Sequence, residues 1–332
     1  MGLTLSMIVR DEEEELKETL ESIVPFVDDM VILDTGSKDG TVELAKQFGA
    51  KVLEEKWNNS FAHLRNVCSS FVKTEWAIMV DGDETLRGSS EYLRGLLDNS
   101  GKKVAGYALS YFRRPYKHRK TNEVRFRFRG FQNRIWRVNK GWWIGDVHNR
   151  LIGAGFMDVI LPDKVWIECR KRKNLEREKW RREQSLDLVE KAVDFENDKE
   201  GWLLLHFARE LIEHKKFHEG YKVADIVEKK SYILYNIQYA RRLKAESSLR
   251  LENFDDAISL VKKNILENPN FGEDFVILAR SLIRKGDIEE AFSWLEKAPK
   301  KPPDVLVLVD LRSYEIIAEL KEECLKLLEG LV

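Results

Sequence analysis

Apolar and polar positions along this chain change rhythm twice. Leu3–Val9 form an apolar run of strand length, after which the sequence turns acidic at Asp11 and Glu12 to Glu15. Asp11 suits a helix cap, and the glutamates suit a first turn, where the positive helix end favours carboxylates. Leu16, Leu20, Ile23 and Val24 then recur at helical spacing. Met30 to Leu33 are a second buried run, followed by the turn-rich Asp34-Thr35-Gly36-Ser37-Lys38-Asp39-Gly40-Thr41. Val42 to Phe48 read as a helix stopped by Gly49, and Lys51 to Leu53 as a third strand. A helix from about Phe61 to Val72 leads to a fourth strand, Trp76 to Val80, which runs straight into Asp81-Gly82-Asp83-Glu84. This alternation predicts an α/β domain with a doubly wound, mostly parallel sheet.

Between Val104 and Glu168 the pattern is of strands without long helices. Val124, Phe126 and Phe128 alternate with Arg125, Arg127 and Arg129, which predicts a strand with one apolar and one basic face. From about Asn174 the chain reads as helical, so the domain boundary is expected near residue 170, giving domains 1–170 and 171–332. The helical half repeats itself with a period of roughly 35 residues. Ala208, Ala245 and Ala279 are followed at one fixed offset by Phe217, Phe254 and Ile288, and at another by Gly220, Ala257 and Ala291. Pro269 and Pro303 also fall at matching offsets. Small residues at fixed points let paired helices approach closely. The spacing predicts degenerate tetratricopeptide-like repeats at 201–234, 238–271 and 272–305, with a final helix pair to the end.

Composition narrows the function classes. In 332 residues, 56 Lys plus Arg nearly cancel 57 Asp plus Glu, which argues against a globally basic nucleic-acid binder. The three cysteines, Cys68, Cys169 and Cys324, are scattered and form no Cys-x-x-Cys pair, so neither a disulfide framework nor a structural zinc site is expected. No apolar run approaches the ~20 residues that span a bilayer. A cytoplasmic protein without a transmembrane segment is the expectation.

Candidate chemistry gathers where strands end. In open α/β sheets ligands sit outside the carboxyl ends of the strands. Three predicted strands deliver Arg10, Asp11 and Glu12, then Asp34, then Asp81 and Asp83 to that edge. If the last segment is extended, Asp81 and Asp83 point the same way, and Gly82 lets a ligand approach closely. With Glu84 beside them, these carboxylates suit a hard cation, Mg²⁺ or Mn²⁺, and its phosphate ligands. There is no Gly-x-Gly-x-x-Gly after the first strand and no P-loop pattern, which counts against dinucleotide folds and P-loop NTPases. His148, in Gly145-Asp146-Val147-His148-Asn149, is the histidine best placed for chemistry; His206, His214 and His218 fall in the repeats.

In order along the chain, several motifs resemble family 2 glycosyltransferases. They are Ser6-Met7-Ile8-Val9-Arg10-Asp11-Glu12, Val31-Ile32-Leu33-Asp34-Thr35-Gly36-Ser37 with Asp39-Gly40-Thr41, Phe61-Ala62 with Arg65-Asn66, Asp81-Gly82-Asp83-Glu84, and Arg134-Ile135-Trp136-Arg137 with Val147-His148. The subgroup they resemble fuses a GT-A-type nucleotide-sugar-binding domain to tetratricopeptide-like repeats. It includes sublancin-type peptide S-glycosyltransferases and bacterial relatives of lipopolysaccharide-core glucosyltransferases.

The resemblance implies a metal-dependent, inverting hexosyltransferase using a UDP-sugar such as UDP-glucose. Its acceptor would be a peptide, a protein or a surface glycan, and a homodimer is compatible with the repeats. By that resemblance Glu12 and Asp34 hold the nucleobase, over the backbone of Ile8 and Val9 and beside the Gly36-Ser37 turn. Arg65 approaches the nucleotide, Asp81 and Gly82 the ribose or donor sugar, and Asp83 the metal. His148 is a metal ligand or acts on the acceptor. The family usually has Asn at position 11 and Glu at position 149. Asn149 puts the general base in question, with Asp146 and Glu84 as substitutes. A repeat-based binding protein that holds nucleotide without turnover is the alternative, and nucleic-acid binding through Arg113 to Arg137 is a third reading.

Overall fold

The computed structural model describes residues 2–117, 123–159, 164–170, 175–302 and 309–330. The chain divides into two compact units, Met1–Glu178 and Lys179–Val305 with Val309–Val332.

In the first unit the strands are β1 (Leu3–Val9), β2 (Asp29–Asp34), β3 (Lys51–Glu54), β4 (Trp76–Ile78), β5 (Glu84–Gly88), β6 (Val104–Lys117), β7 (Val124–Arg137), β8 (Gly141–Ile144), β9 (Arg150–Gly153), β10 (Phe156–Val159) and β11 (Val165–Cys169). Helices α1 (Glu13–Ile23), α2 (Thr41–Gln47), α3 (Phe61–Ser70) and α4 (Ser90–Asp98) are interspersed. The main sheet runs β3-β2-β1-β4-β7-β6-β11-β5, with β10 also against β6. Strands β1 to β4 are mutually parallel. Beyond them β7 is antiparallel to β4 and β6, while β6 and β11 are parallel. Strands β8 and β9 form a separate hairpin.

Continuous apolar runs are explained by helices on both faces, as parallel sheets require. Leu3, Leu5, Met7 and Val9 pack with Leu16, Leu20 and Ile23 of α1. Neighbouring positions of opposite parity, Val31, Leu33, Ala77 and Met79, pack with Leu64 and Cys68 of α3. The expected α/β sheet and its first seven elements are thus present. Val24 departs from the expectation: it caps α1 and is 46% exposed. Helix α4 was not foreseen, although Ser89 caps it and Leu93 and Leu97 line its buried face. Nor is one face of β7 buried and apolar over 125–129, where Phe126 and Phe128 are half-buried like the arginines between them.

The second unit is helical. Helix α5 (Leu175–Ala192) begins before the unit boundary, and α6 (Trp202–Glu213), α7 (Phe217–Lys230), α8 (Leu234–Arg250), α9 (Phe254–Glu267), α10 (Gly272–Lys285) and α11 (Ile288–Glu296) follow as pairs. Phe217, Phe254 and Ile288 each open the second helix of a pair. Ala208, Ala245, Ala257, Ala279 and Ala291 are fully buried. At Gly220 a Cβ would stand 2.6 Å from Ile212 Cγ1 and 3.1 Å from the Ala208 carbonyl oxygen, so the close approach of α6 and α7 demands a minimal side chain. The tetratricopeptide-like pattern is therefore real packing. Its expected final helix pair is a single helix among the described residues, α12 (Arg312–Leu328). Pro303 lies outside the described residues.

Candidate active site

Two loops close over the carboxyl ends of β1 and β2, and their acidic residues stitch them together. The Asp34 carboxylate accepts from the backbone N–H of Gly36 and Ser37, both at 2.9 Å, and from the Ser37 hydroxyl. Ser37 Oγ in turn accepts from the Asp11 N–H, and the Asp11 carboxylate accepts from Lys38 N–H. Thr41 Oγ1 accepts from Glu12 N–H at 2.7 Å, Asp39 from Glu13 N–H, and Glu13 from Gly40 N–H. Asp11 is not the expected helix cap, since Glu12 holds that place without a side-chain cap and Asp11 has φ 49°. That left-handed conformation is one Asn and Asp tolerate better than other residues. Asp in place of the family's Asn is therefore sterically conservative.

The expectation for Asp34 changes with this geometry. Both its oxygens build the turn that contains Gly36 and Ser37, which leaves less of the carboxylate free for a ligand. Glu12 is buried, and its side chain lies over Gly82: a Cβ there would stand 3.0 Å from Glu12 Cγ. Gly82 is thus small because Glu12 crosses it, at the point between β1 and β4 where the sheet order reverses. The structure brings Glu12 and Gly82 together, as expected for one site, but with protein rather than ligand against the glycine.

Residues 81–84 form a turn, not the extended segment expected, and Glu84 N–H donates to the Asp81 carbonyl at 3.0 Å. Asp81 and Asp83 are consequently not equivalent. Asp81 Oδ1 lies 3.0 Å from Arg65 Nη2, and Asp81 Oδ2 lies 3.8 Å from Arg134 Nη1. The two arginines are 8% and 3% exposed while Asp81 is 37% exposed, so buried cations present a reachable carboxylate. Arg65 also lies over the Trp143 ring, 4.8 Å from its centroid. Its Nε and Nη1 are buried without a hydrogen-bond partner among the described residues.

Glu84 is not placed to act as the substitute base. It is buried, its Oε1 accepts from Arg134 Nη2 at 2.8 Å, and its Oε2 accepts from Asp81 N–H at 2.9 Å. Burial pushes this carboxyl up to about 7 against the pull of Arg134, with Asp81 and Asp83 adding to the rise. Asp83 is buried as well, with Oδ2 3.8 Å from the Cys169 sulfur. Burial, with the charges of Asp83 and Glu84, pushes the Cys169 thiol up to about 12 and keeps it neutral.

His148 and Asp146 sit in the turn between β8 and β9, with His148 at φ 47°. This hairpin is tied to α3, because Phe61 N–H donates to the Asp146 carbonyl, Asn66 Nδ2 donates to the Trp143 carbonyl, and Trp143 N–H donates to Asn66 Oδ1. Asn66 therefore registers the His148 turn against the helix that carries Arg65. Arg134 enters the sequence analysis only as part of a motif, and nothing there shows that it pairs with both Asp81 and Glu84.

Whether these residues suit a divalent cation is a question of donor chemistry. Asp83 offers hard carboxylate oxygens, and ions such as Mg²⁺ are typically held by one or two carboxylates plus substrate phosphates. Among the described residues no group of three or more His, Cys, Asp or Glu side chains is placed to hold a metal ion. The arrangement fits a cation completed by a bound diphosphate, not a cage made by protein alone. No described helix is long and apolar enough to cross a membrane.

Residues 4–151 match the family model described as Glycosyl transferase family 2. A TPR repeat-containing protein of Synechococcus elongatus is 40% identical over 84 residues, which cover 25% of this chain and 21% of that protein. The SPbeta prophage-derived glycosyltransferase SunS of Bacillus subtilis is 31% identical over 83 residues, covering 24% of this chain and 20% of that one. The chain thus spans about a fifth of the length of these relatives. Among solved structures, glucosyl-3-phosphoglycerate synthase from Mycobacterium tuberculosis with Mn²⁺ and UDP-glucose is similar over 34% of this chain and 44% of that one, at 19% identity and a TM-score of 0.28. The N-terminal part of the chain is a glycosyl transferase family 2 domain.

Proposed function

We propose that the chain transfers a hexose from a UDP-sugar, UDP-glucose foremost, to a peptide, protein or surface-glycan acceptor, with inversion at the anomeric carbon. The observation that carries this reading is Asp81, held by Arg65 and Arg134 at the crevice between β1 and β4. Ligands of open α/β sheets bind at such a crevice.

Glu12 and the backbone of Ile8 and Val9 contact the base, and the Gly36-Ser37 turn closes the loop above it. Asp81 accepts from sugar hydroxyls, since its charge is already balanced by two buried arginines. Arg65, beside the exposed Asp81 carboxylate, adds a cation on the side from which phosphate oxygens would approach. Asp83 is the residue that would hold Mg²⁺ or Mn²⁺, which when bound neutralises charge on the departing diphosphate. His148 or Asp146 accepts the acceptor's proton, and Asn149 cannot. Residues 1–170 carry donor chemistry in this scheme, and 171–332 carry acceptor recognition or homodimer formation.

The test is hydrolysis of a panel of UDP-sugars by the full chain, with Mn²⁺ and with excess chelator. Turnover of one UDP-sugar that chelator abolishes supports the reading. Tight UDP binding without turnover of any donor, in the presence of candidate acceptors, would favour a nucleotide-binding module instead.

A further inference from the structure

We infer that Arg170 is a positioning residue for the donor site, a strap that fixes the Asp81–Glu84 turn from behind; the inference rests on the reading of that turn as the donor-binding element. Arg170 follows β11 directly, far from the turn in sequence, and nothing in its local pattern marks it. Its backbone N–H donates to the Asp83 carbonyl at 2.9 Å. Its Nη2 donates to Thr19 Oγ1 at 2.6 Å and to the Glu15 carbonyl at 2.7 Å, and reaches the Gly82 carbonyl at 3.4 Å. Nη1 pairs with Glu18 at 2.7 Å. Thr19, fully buried on α1, adds a second hydrogen bond to the Gly82 carbonyl at 2.7 Å.

These contacts hold the turn one peptide plane after another. The plane between residues 81 and 82 is fixed by Glu84 N–H on the Asp81 carbonyl, the next by Thr19 and Arg170 on Gly82, and the last by Arg170 N–H on Asp83. Because a peptide is rigid, two fixed planes flanking Asp83 set the direction of its Cα–Cβ bond. The guanidinium simultaneously engages three acceptors of α1, the helix whose first turn follows Glu12. One side chain therefore registers the cation carboxylate against the base-contacting segment. Groups that orient a metal ligand in this way typically contribute 10- to 100-fold to metal affinity or activity.

The experiment measures UDP binding by calorimetry with Mg²⁺ or Mn²⁺, unfolding midpoints, and donor kinetics for full-length Arg170→Ala, Arg170→Lys and Thr19→Val, with Arg94→Ala as a control that breaks an exposed ion pair of the same unit. Arg170→Ala should raise the Kd for UDP with metal, and the KM for donor, about tenfold or more. Saturating donor and metal should recover most of kcat. Thr19→Val should move the same constants in the same direction by less, Arg170→Lys should fall between Arg170→Ala and wild type, and Arg94→Ala should leave them unchanged. A residue that merely supports folding would instead lower the active fraction and the midpoint with Kd and KM intact. That result in Arg170→Ala, or in Thr19→Val if Arg170→Ala does not fold, overturns the inference. Wild-type protein that binds no UDP with either metal overturns the reading of the site itself, and the inference with it.

Discussion

Two acidic segments close the same edge of the sheet, residues 34–41 after β2 and residues 81–84 after β4, and their carboxylates have different partners. In the first, Asp34 and Asp39 accept from backbone N–H groups and hydroxyls. In the second, Asp81 and Glu84 face the buried guanidinium groups of Arg65 and Arg134. A carboxylate bound to backbone N–H groups shapes a loop and has little left to offer a ligand. Asp81, balanced by cations, remains partly exposed and can share them with a phosphate, whereas Glu84 is buried and anchors Arg134 from beneath. The lesson is that acidic composition locates the edge of a site, while the partner of each carboxylate decides whether it builds the site or works in it.

The strongest way to break this comparison is to remove the shared cation. Arg134→Met leaves Glu84 buried without its ion pair and Asp81 with one arginine, and breaking a buried pair in this manner costs about 3–5 kcal/mol. The unfolding midpoint of the first unit should drop by roughly 10 °C, and nucleotide binding should be lost with it. Thermal melts read both, with and without UDP. A midpoint within a degree or two of wild type would mean that the turn after β4 is held by other means.

Asp83→Ala is the next largest effect, and it falls on activity rather than folding. Transfer should drop at least about 100-fold, or roughly 3 kcal/mol of transition-state stabilisation. The midpoint should stay near wild type, because the Arg170 and Thr19 bonds to the turn run to its backbone. Near wild-type transfer by the folded variant, or full activity in excess chelator, would remove Asp83 from the metal site.

What the sequence allowed to be read follows from how local each signal is. Strands β1 to β4 and helices α1 to α3 announce themselves by apolar runs and spacing, and the buried alanines of the repeats by their period. The loop after β2 and the Asp-Gly-Asp turn stand out for the same reason. Their internal logic does not, because Arg65 comes from α3, Arg134 from β7 and Arg170 from the end of β11. A sequence displays those charges without displaying their partners. The extended geometry expected for 81–83 gives way to a local fact, the hydrogen bond from Glu84 N–H to the Asp81 carbonyl. Ser89 with Leu93 and Leu97 was a fair signal for α4, hidden by the short span between two turns.

Asp34 and Glu12 sharpen the comparison from the other side. Asp34→Ala strands two backbone donors, at Gly36 and Ser37, that are only partly buried, so each costs toward the lower end of the roughly 1–3 kcal/mol of an unsatisfied buried donor. The variant should be less stable, yet UDP should still raise its midpoint more than GDP or ADP at equal metal. Glu12→Ala should erode that preference while changing stability less. The reverse outcome, with Asp34→Ala flattening the nucleotide preference at unchanged stability, would return Asp34 to the base and dissolve the distinction between the two segments.

The smallest expected effect lies in the repeats, where a charge network ties α7 to α8. Lys244 contacts Asp225 at 2.7 Å and Glu228 at 2.9 Å, and Arg241 contacts Glu228 at 2.8 Å. Burial alone would raise the Glu228 carboxyl, but hydrogen bonds from Arg241 and Lys244 outweigh it and hold the group below its ordinary value. Asp225 is lowered in the same way, burial being outweighed by Lys229 and Lys244. A carboxylate depressed by folding contributes stability that is complete above its unfolded value, about 4. That stability is lost as pH falls through the lower, folded value. The repeat unit should therefore lose about 1 kcal/mol from this network between roughly pH 5 and pH 3, a modest amount as expected for partly exposed pairs. Glu228→Gln should lower the midpoint at pH 7 and flatten its acid dependence, whereas donor hydrolysis at pH 7 should not change. A variant whose hydrolysis falls in step with its acid stability would instead show that the repeats contribute to donor chemistry.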